Sequence, residues 1–316
     1  MSNTEAVLKQ SGIQDGNCGD VPQRRPLPFH LIAILVAFAT LGIAAIAVAA
    51  PAAASETVRT VAPMVDSEPT TNIDIYMDAR LGGLKFGSIS MQAAFGETSY
   101  TANSTIKTEG ITDHLFKTVF DLKTQGTRSA RLMQTAKFHS YAASEDDLQK
   151  VDMTYDPQGL PLVAAEPAYD NSSRVATTAI HLKNSVDPLS AIIVPVATPS
   201  AEACNRRIPV YDGRRRYDFV MSFEDMSELD QEKGYSGLAV KCNAYLRPIA
   251  GYKRKTIREM RKDPMPITVW LAPIAGADAL VPARIEVGTP IGTLVARSTR
   301  FSVSSANASH ASLTAR

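Results

Sequence analysis

The residues best suited to binding chemistry are three consecutive arginines between two short apolar runs. The stretch "CNRRIPVYDGRRRYDFVM", residues 204–221, places Arg214, Arg215 and Arg216 directly after an Asp-Gly pair. Guanidinium groups bind carboxylates and phosphates through paired hydrogen bonds, so this cluster could hold an anionic ligand. The alternative is a hairpin in which the arginines pair with nearby acids on a solvated face. That arrangement is the commoner one, and we expect it here.

A second group of cations, Lys253, Arg254 and Lys255, lies in "YKRKTIREMRK". Residues 204–262 carry fourteen Lys and Arg against eight Asp and Glu, whereas residues 142–170 carry seven acids and one lysine. The two groups of cations together form a candidate anion-binding or partner-binding face. Three interpretations stay open: contact with anionic lipid headgroups or acidic polymers, attraction between the two stretches, or ordinary surface variation.

Catalytic chemistry has little support in the sequence. Neither H-E-x-x-H nor G-x-S-x-G nor a glycine-rich phosphate loop occurs, and the histidines are isolated from one another. These considerations predict a non-enzymatic protein with no cofactor and no metal. The alternative is a hydrolase acting on an envelope component, with His114, His139 or His181 meeting acids from distant parts of the chain.

The first residues indicate where the protein functions. Leu31–Ala50 carries no charge, follows Arg24 and Arg25, and precedes the small residues 52–54. This order is typical of a secretory signal peptide, residues 1–54, which is cleaved before Ser55. Twenty apolar residues can also cross a bilayer of about 30 Å, so an uncleaved inner-membrane anchor is the alternative. Both interpretations predict export to the periplasm.

Export also explains the cysteines. Cys204 and Cys242 are an even pair in the part of the chain that follows the leader. An oxidising compartment favours a disulfide between them. A two-cysteine metal site is the rival interpretation, but no histidine lies near either cysteine in the sequence.

The elements that position these residues are mostly strands. After a predicted linker, residues 55–71, apolar and polar residues alternate in many short runs bounded by turn residues. Residues 72–303 are therefore a predicted mainly β domain, a curved antiparallel sheet forming an open or spiral β-barrel-like structure. Residues 304–316 are a predicted disordered tail.

Two segments depart from this pattern. Apolar residues recur at helical spacing in residues 111–126, and Asp187-Pro188 is a suitable N-cap and first position for another short helix. Residues 159–174 are rich in Pro, Ala and Ser and predict a loop. We therefore expect one or two short helices beside the sheet.

A curved sheet gives its inward side chains a candidate binding role. Such residues either line an apolar concavity that holds a lipid or fill an ordinary packed core. The candidates for the concavity are Ile75, Met77, Phe86, Met91, Phe95, Phe138 and Trp270.

The cysteine-bounded segment resembles a known family. The pattern "C…VYDGRRRYDF…GLAVKC…PIAGY", residues 204–252, and the opening "DIYMDARLGGLKFGSISM" are similar to the exported bacterial family of domain of unknown function 3108 (DUF3108). The resemblance extends over residues 72–303 and implies a periplasmic, β-rich, non-catalytic protein with one disulfide. It brings no catalytic residues.

These observations predict an exported, non-enzymatic cell-envelope protein that binds a lipid-like ligand or a protein partner, with membrane-surface contact compatible with its basic face. A scaffolding protein without a small ligand is an alternative. The formal net charge of +1 gives no support to nucleic acid as a partner. The oligomeric state stays open.

Overall fold

The computed structural model describes residues 70–110, 117–145 and 147–306, and these residues form one large antiparallel sheet. Its strands are β1 Thr70–Leu81, β2 Leu84–Phe95, β3 Ser99–Thr108, β4 Val119–Arg128, β5 Met133–Ala143, β6 Leu148–Tyr155, β7 Pro161–Glu166, β8 Val194–Pro195, β9 Arg206–Tyr211, β10 Arg216–Asp230, β11 Ser236–Ala250, β12 Ile267–Ile274, β13 Ala279–Thr289 and β14 Gly292–Ala306. The helices are α1 Ala179–Leu182, α2 Pro188–Ala191 and α3 Arg254–Lys262.

The strand order is β7-β6-β5-β4-β3-β2-β1-β14-β13-β12-β11-β10-β9, with β8 paired to β13. Nearly every strand therefore lies beside its neighbour in the sequence. The exceptions are the first and last strands, which pair with each other, and residues 167–205, which connect the edge strand β7 to the edge strand β9. We call residues 167–205 the crossover segment. The prediction of a mainly β, open antiparallel sheet is confirmed.

Alternation along the strands produces the core. In β1, Ile73, Ile75 and Met77 are buried on one face, whereas the residues between them are only partly covered. These side chains pack with Phe138 of β5 and Met153 of β6. Burial of each apolar side chain of this size contributes about 1.5–3 kcal/mol to stability. Because the apolar residues recur with a period of two, this energy determines which face of the sheet turns inward.

The crossover segment fills the inside of this curve. Asp187 caps α2, and Pro188 occupies its first position, as the sequence predicted. Leu189 and Ile193 are almost fully buried in the same core as Ile75. Because this segment contributes its own side chains to the core, it occupies space that an open concavity would need.

Strands β10 and β11 extend beyond the rest of the sheet as a long hairpin. β12 pairs with β11 only over Val240–Ala244, so near the turn of the hairpin β10 and β11 pair only with each other. A bulge after Phe223 interrupts the register, and the side chain of Leu229 packs with Trp270. We call residues 225–239 the hairpin arm. It lies against the face of the sheet opposite the main core.

Three expectations need correction. Residues 119–126 belong to β4 and not to a helix, because Phe120, Leu122 and Thr124 alternate as buried residues of a strand; residues 111–116 lie outside the described part. The predicted loop contains strand β7. The stretch after Tyr252 forms α3, a helix that was not predicted.

The predicted domain limits differ slightly from the strand ends. β1 begins at Thr70, inside the predicted linker, and β14 ends at Ala306, inside the predicted tail. Leu31–Ala50 lies outside the described residues. Within the described ranges, no helix has the length and apolar character needed to cross a membrane.

Candidate functional site

The cysteine-bounded segment is held together by its disulfide. Cys204 and Cys242 are fully buried and bonded, with their Cα atoms 5.4 Å apart. Cys204 directly precedes the edge strand β9, and Cys242 lies on β11, two strands away in the sheet order. The disulfide therefore joins the residues just before β9 to β11, across the intervening strand β10.

The Asp-Gly pair makes the predicted turn between β9 and β10. The Asp212 carboxylate accepts backbone N–H bonds from Arg214 at 2.8 Å and Arg215 at 2.6 Å. Gly213 has φ +92°, and a Cβ there would lie 2.5 Å from Val151 on β6. Only glycine combines this backbone conformation with so close an approach to the opposite edge of the sheet.

Arg216 is buried and uses its guanidinium for internal hydrogen bonds. Its Nε donates to the His181 carbonyl at 2.7 Å, and its Nη1 donates to the Asp218 carboxylate at 2.8 Å. The His181 carbonyl belongs to the crossover segment. Arg216 thus fastens that segment to β10 and has little capacity left for an external anion.

Arg214 is also buried, contrary to the expected solvated face. Its Nη2 donates to the Asp170 carbonyl at 2.6 Å, and its guanidinium stacks 4.5 Å from the centroid of the Tyr169 ring. Arg215 is half-buried, 5.9 Å from the Tyr252 ring. Arg214 and Arg216 donate mainly to backbone carbonyls, because the crossover segment covers them.

The other half of the predicted basic face behaves differently. Lys253, Arg254 and Lys255 are exposed at the start of α3, while Ile257 packs inward beside Tyr252. The structure therefore does not make one continuous surface of the six predicted cations. Only the α3 group remains available to an anionic partner.

The predicted concavity is mostly a packed core. Of its seven residues, Ile75, Met77, Met91, Phe95 and Phe138 are buried in the main core. Trp270 was assigned to the wrong face, because it packs with the hairpin arm on the opposite side of β12 from Val269 and Leu271. The guanidinium of Arg284 covers its ring at 4.7 Å.

Phe86 alone of the predicted set lines an unfilled space. This space, the end cavity, lies where β1 meets β2 and β14, and its volume is about 70 Å³. An engineered apolar cavity of roughly 150 Å³ holds one benzene molecule, so the end cavity, at about half that volume, suits the end of an alkyl chain. Its walls are mainly apolar and include Ala79, Leu81, Phe86, Ile89, Ile106, Phe120, Ile291 and Leu294.

A buried polar cluster, which the sequence did not reveal as a unit, lies around Asp187. This fully buried carboxylate accepts from the backbone N–H groups of Leu189 and Ser190 and from the hydroxyls of Ser190, Thr124 and Thr135. Burial raises the pKa of the Asp187 carboxyl, while these donors oppose the shift. The Asp-Pro pair predicted the helix cap, but nothing in the sequence indicated the two threonines.

The same burial affects Tyr100, whose hydroxyl lies 2.6 Å from the Ser190 hydroxyl. Burial and the nearby Asp187 raise the pKa of Tyr100 to about 12. The cluster is covered by core side chains on every strand that contributes to it. Its geometry is that of an anchor that joins α2 to β3, β4 and β5.

A polar cleft separates the hairpin arm from the sheet and has a volume of about 810 Å³. The sheet contributes three arginines and one acid, and the arm contributes three acids. The sheet residues are Arg80, Arg284, Arg297 and Asp78, and the arm residues are Glu228, Asp230 and Glu232. The sheet wall is therefore positive in sum and the arm wall is negative. Because the two walls have opposite charge, the cleft does not select for one sign of ligand.

The histidines do not come together among the described residues. His139 lies 2.8 Å from the Asp152 carboxylate on the exposed surface, and His181 contacts Thr178 in α1. His114 lies outside the described residues. Across the described ranges, no three His, Cys, Asp or Glu side chains are grouped closely enough to hold a metal ion.

Comparison with solved structures gives distant likenesses. A β-barrel-like protein of DUF1849 from Brucella abortus matches with a TM-score of 0.46 and 10% identity, over 75% of this chain and 98% of that one. A putative lipoprotein from Parabacteroides distasonis matches with a TM-score of 0.26 and 8% identity, over 75% and 96%. No curated protein matches this chain.

The family assignment rests on the sequence of the sheet itself. The model of the family described as "Protein of unknown function (DUF3108)" matches residues 72–299. This range extends from the third residue of β1 to the middle of β14, and it includes both cysteines and the arginine hairpin. The chain therefore belongs to the DUF3108 family.

Proposed function

We propose that this chain is an exported, non-enzymatic cell-envelope protein that binds the acyl chain of a lipid at the end cavity. The observation that carries the proposal is this apolar space, which the described residues leave unfilled at one end of the sheet. Export is supported by the apolar leader and by the disulfide. A non-enzymatic role is supported by the buried Asp187 cluster, whose polar groups are hydrogen-bonded to one another.

The size of the cavity limits what the protein can hold. At about 70 Å³ it accepts a few methylene groups, each worth roughly 0.8 kcal/mol on burial. The crossover segment fills the rest of the interior. The geometry therefore favours contact with part of a lipid over enclosure of a whole one.

Native mass spectrometry of the protein purified from its own envelope, followed by lipid extraction, tests this proposal. We expect a co-purifying lipid that is lost in Ile106→Phe, which fills the cavity. Leu238→Phe adds the same kind of bulk on the exposed hairpin arm and is the matched control. If the unmodified protein carries no lipid and does not bind added dodecanoate, the acyl-binding function is wrong.

A second candidate function is supported by the edge strand β7. Its outer edge pairs with no other described strand, and its side chains include Leu162, 66% exposed, and Val163, 38% exposed. The opposite edge, β9, is covered because Val186 bridges to Val210. An open apolar edge suits the addition of an extended strand from a protein partner.

A photo-crosslinking residue at Leu162 tests partner binding in the native envelope. We expect one defined adduct, which disappears in Val163→Pro because proline removes a donor from the strand. Adducts that persist unchanged in that variant would exclude strand addition at β7.

A further inference from the structure

We infer that the α3 end of the sheet docks on an anionic lipid bilayer, with α3 at the headgroups and the neighbouring turns among the acyl chains. The α3 end comprises α3, the β1–β2 turn and the β13–β14 turn. The end cavity is lined by residues of both turns, including Leu81 and Ile291, so the inference rests on the proposed lipid-binding function and adds the membrane surface and the headgroup charge.

The first observation is the charge on α3. One side of this helix is anchored by Ile257, which is buried, and Met260, which is partly buried. The exposed cations on the segment are Lys253, Arg254, Lys255, Arg258, Arg261 and Lys262. Within the described part of the chain, Lys255 alone of these six has an acidic partner, Glu259, at 3.7 Å and well exposed to solvent, while Arg261 donates to the Pro248 carbonyl. The group therefore faces solvent as a compact positive surface.

The second observation is a pair of exposed apolar side chains at adjacent turns. Leu84 follows the β1–β2 turn and is 62% exposed, and Ile291 lies in the β13–β14 turn and is 57% exposed. The turns are neighbours because Leu81 pairs with Leu84 on one side and with Leu294 on the other. Exposed apolar side chains beside a basic helix can enter the interface of a bilayer while the cations contact anionic headgroups.

The connection between these features is fixed by the sheet. α3 joins the end of β11 to the start of β12, which is the same end of the antiparallel sheet as the β13–β14 turn. The Gly288 N–H donates to the Pro266 carbonyl at 3.0 Å, so the segment that follows α3 is tied to β13 just before its turn. Cations and apolar tips thus belong to one end of the molecule.

A bilayer fits this combination better than a soluble acidic polymer does. A polymer neutralises cations but gives Leu84 and Ile291 no apolar surroundings, whereas a bilayer provides both. Lys85, beside Leu84, does not belong to this surface. It binds Asp78 at 3.0 Å and Glu109 at 2.8 Å, and these bonds raise its pKa.

Vesicle flotation of the protein purified from its own envelope tests the inference. The vesicles are pure phosphatidylcholine or an equimolar mixture with phosphatidylglycerol. We expect binding to the anionic vesicles that weakens with added salt, because the attraction decays over the Debye length. Equal binding to both vesicle types, or binding to soluble polyglutamate but not to vesicles, would overturn it.

Two sets of variants locate the contact. Reversing Lys253, Arg254 and Lys255 to Glu should weaken anionic-vesicle binding at least tenfold, since each cation near an anionic surface adds to the attraction. The matched control reverses Lys123, Arg131 and Lys137, exposed cations of the β4–β5 hairpin, and should bind normally. Equal loss in both variants would show only an effect of net charge and would refute docking through α3.

The apolar tips are tested separately. Leu84→Ser combined with Ile291→Ser should reduce binding roughly tenfold while leaving its salt dependence intact. Ile106→Phe separates this inference from the acyl-binding proposal, because it fills the cavity without changing either surface. If Ile106→Phe removes the co-purifying lipid but binds vesicles, both ideas stand. If the protein binds vesicles yet never holds lipid, only the cavity function fails.

Discussion

The arginine hairpin and helix α3 carry similar clusters of cations but use them in opposite ways. Arg214 and Arg216 are buried and donate to carbonyls of the crossover segment, while Lys253 and Arg254 face solvent. The two clusters differ in burial because the crossover segment covers the arginine hairpin, whereas within the described residues none of its acceptors is bonded to Lys253 or Arg254. A strand edge exposes polar groups that another segment must cover, whereas a surface helix satisfies its own backbone and leaves long side chains free.

This contrast assigns different roles to the two clusters: the buried arginines of the hairpin stabilise the fold, and the exposed cations of α3 are available for binding. A buried guanidinium can be matched by several fixed acceptors, so its loss should affect folding. An exposed lysine contributes little to folding because water solvates it in both states. Substitutions in the hairpin should therefore change the free energy of unfolding, and substitutions in α3 should change binding.

The largest effect is expected at the base of the hairpin. Cys204→Ser removes a disulfide that closes a loop with a sequence separation of 38 residues. The chain-entropy model gives a loss of about 4 kcal/mol for such a loop. Urea unfolding in oxidising buffer measures it, with the reduced wild-type protein as the control. An unchanged midpoint would contradict the structural role of this bond.

Arg216→Ala should cost about 3 kcal/mol, because the Asp218 carboxylate and the His181 carbonyl lose their buried donor. Thermal unfolding measures the loss. Arg216→Lys keeps the charge but cannot reach both acceptors in the same plane, so it should fall between alanine and wild type. If Arg216→Lys unfolded at the same temperature as wild type, charge alone would explain the contribution of Arg216, and its hydrogen bonds to His181 and Asp218 would not matter for stability.

Asp187→Asn should cost about 1 kcal/mol and change the dependence of stability on pH. Burial raises the pKa of Asp187 in the folded state. The stability that this group contributes is therefore fully present below its unfolded pKa, about 3.9, and is lost as pH rises through the folded value. Urea unfolding at several pH values should show a steeper fall in wild type than in the variant. Parallel curves would indicate that Asp187 does not titrate in this way.

The smallest effect on stability is expected in α3. Lys253→Ala, Arg254→Ala and Lys255→Ala should each change the free energy of unfolding by less than about 0.5 kcal/mol. Thermal unfolding measures these changes, and the same measurement on Arg214→Ala provides the comparison from the buried cluster. A large loss of stability from the α3 variants would remove the distinction between the two groups of cations.

The sequence predicted the features that depend on local pattern. The alternating strands, the Asp212-Gly213 turn, the paired cysteines and the Asp187-Pro188 cap all follow from spacing and turn chemistry. The long-range arrangement does not. The partners of Asp187 are Thr124 on β4, 63 residues away, and Thr135 on β5, 52 residues away, and nothing in their own strands distinguishes them from other polar residues.

Two errors show where local patterns are ambiguous. Val119 and Leu122 fit a helical spacing as well as a strand, because a short apolar run does not define its period. Trp270 lies between Val269 and Leu271, so alternation required it to point away from them. The assignment of Trp270 to the concavity ignored this alternation. The burial of Arg214 depends on the position of the crossover segment, which cannot be predicted from the sequence of any single strand.

The pairing of the first strand with the last has a consequence for biogenesis. Thr70 lies opposite Ala306, and β1 stays unsatisfied on that side until β14 has been synthesised. Such a high contact order slows folding. An unfinished polypeptide therefore leaves one edge of β1 without its partner strand until synthesis is nearly complete. Deleting β14 should leave a product that proteases remove, whatever the quality of the remaining thirteen strands.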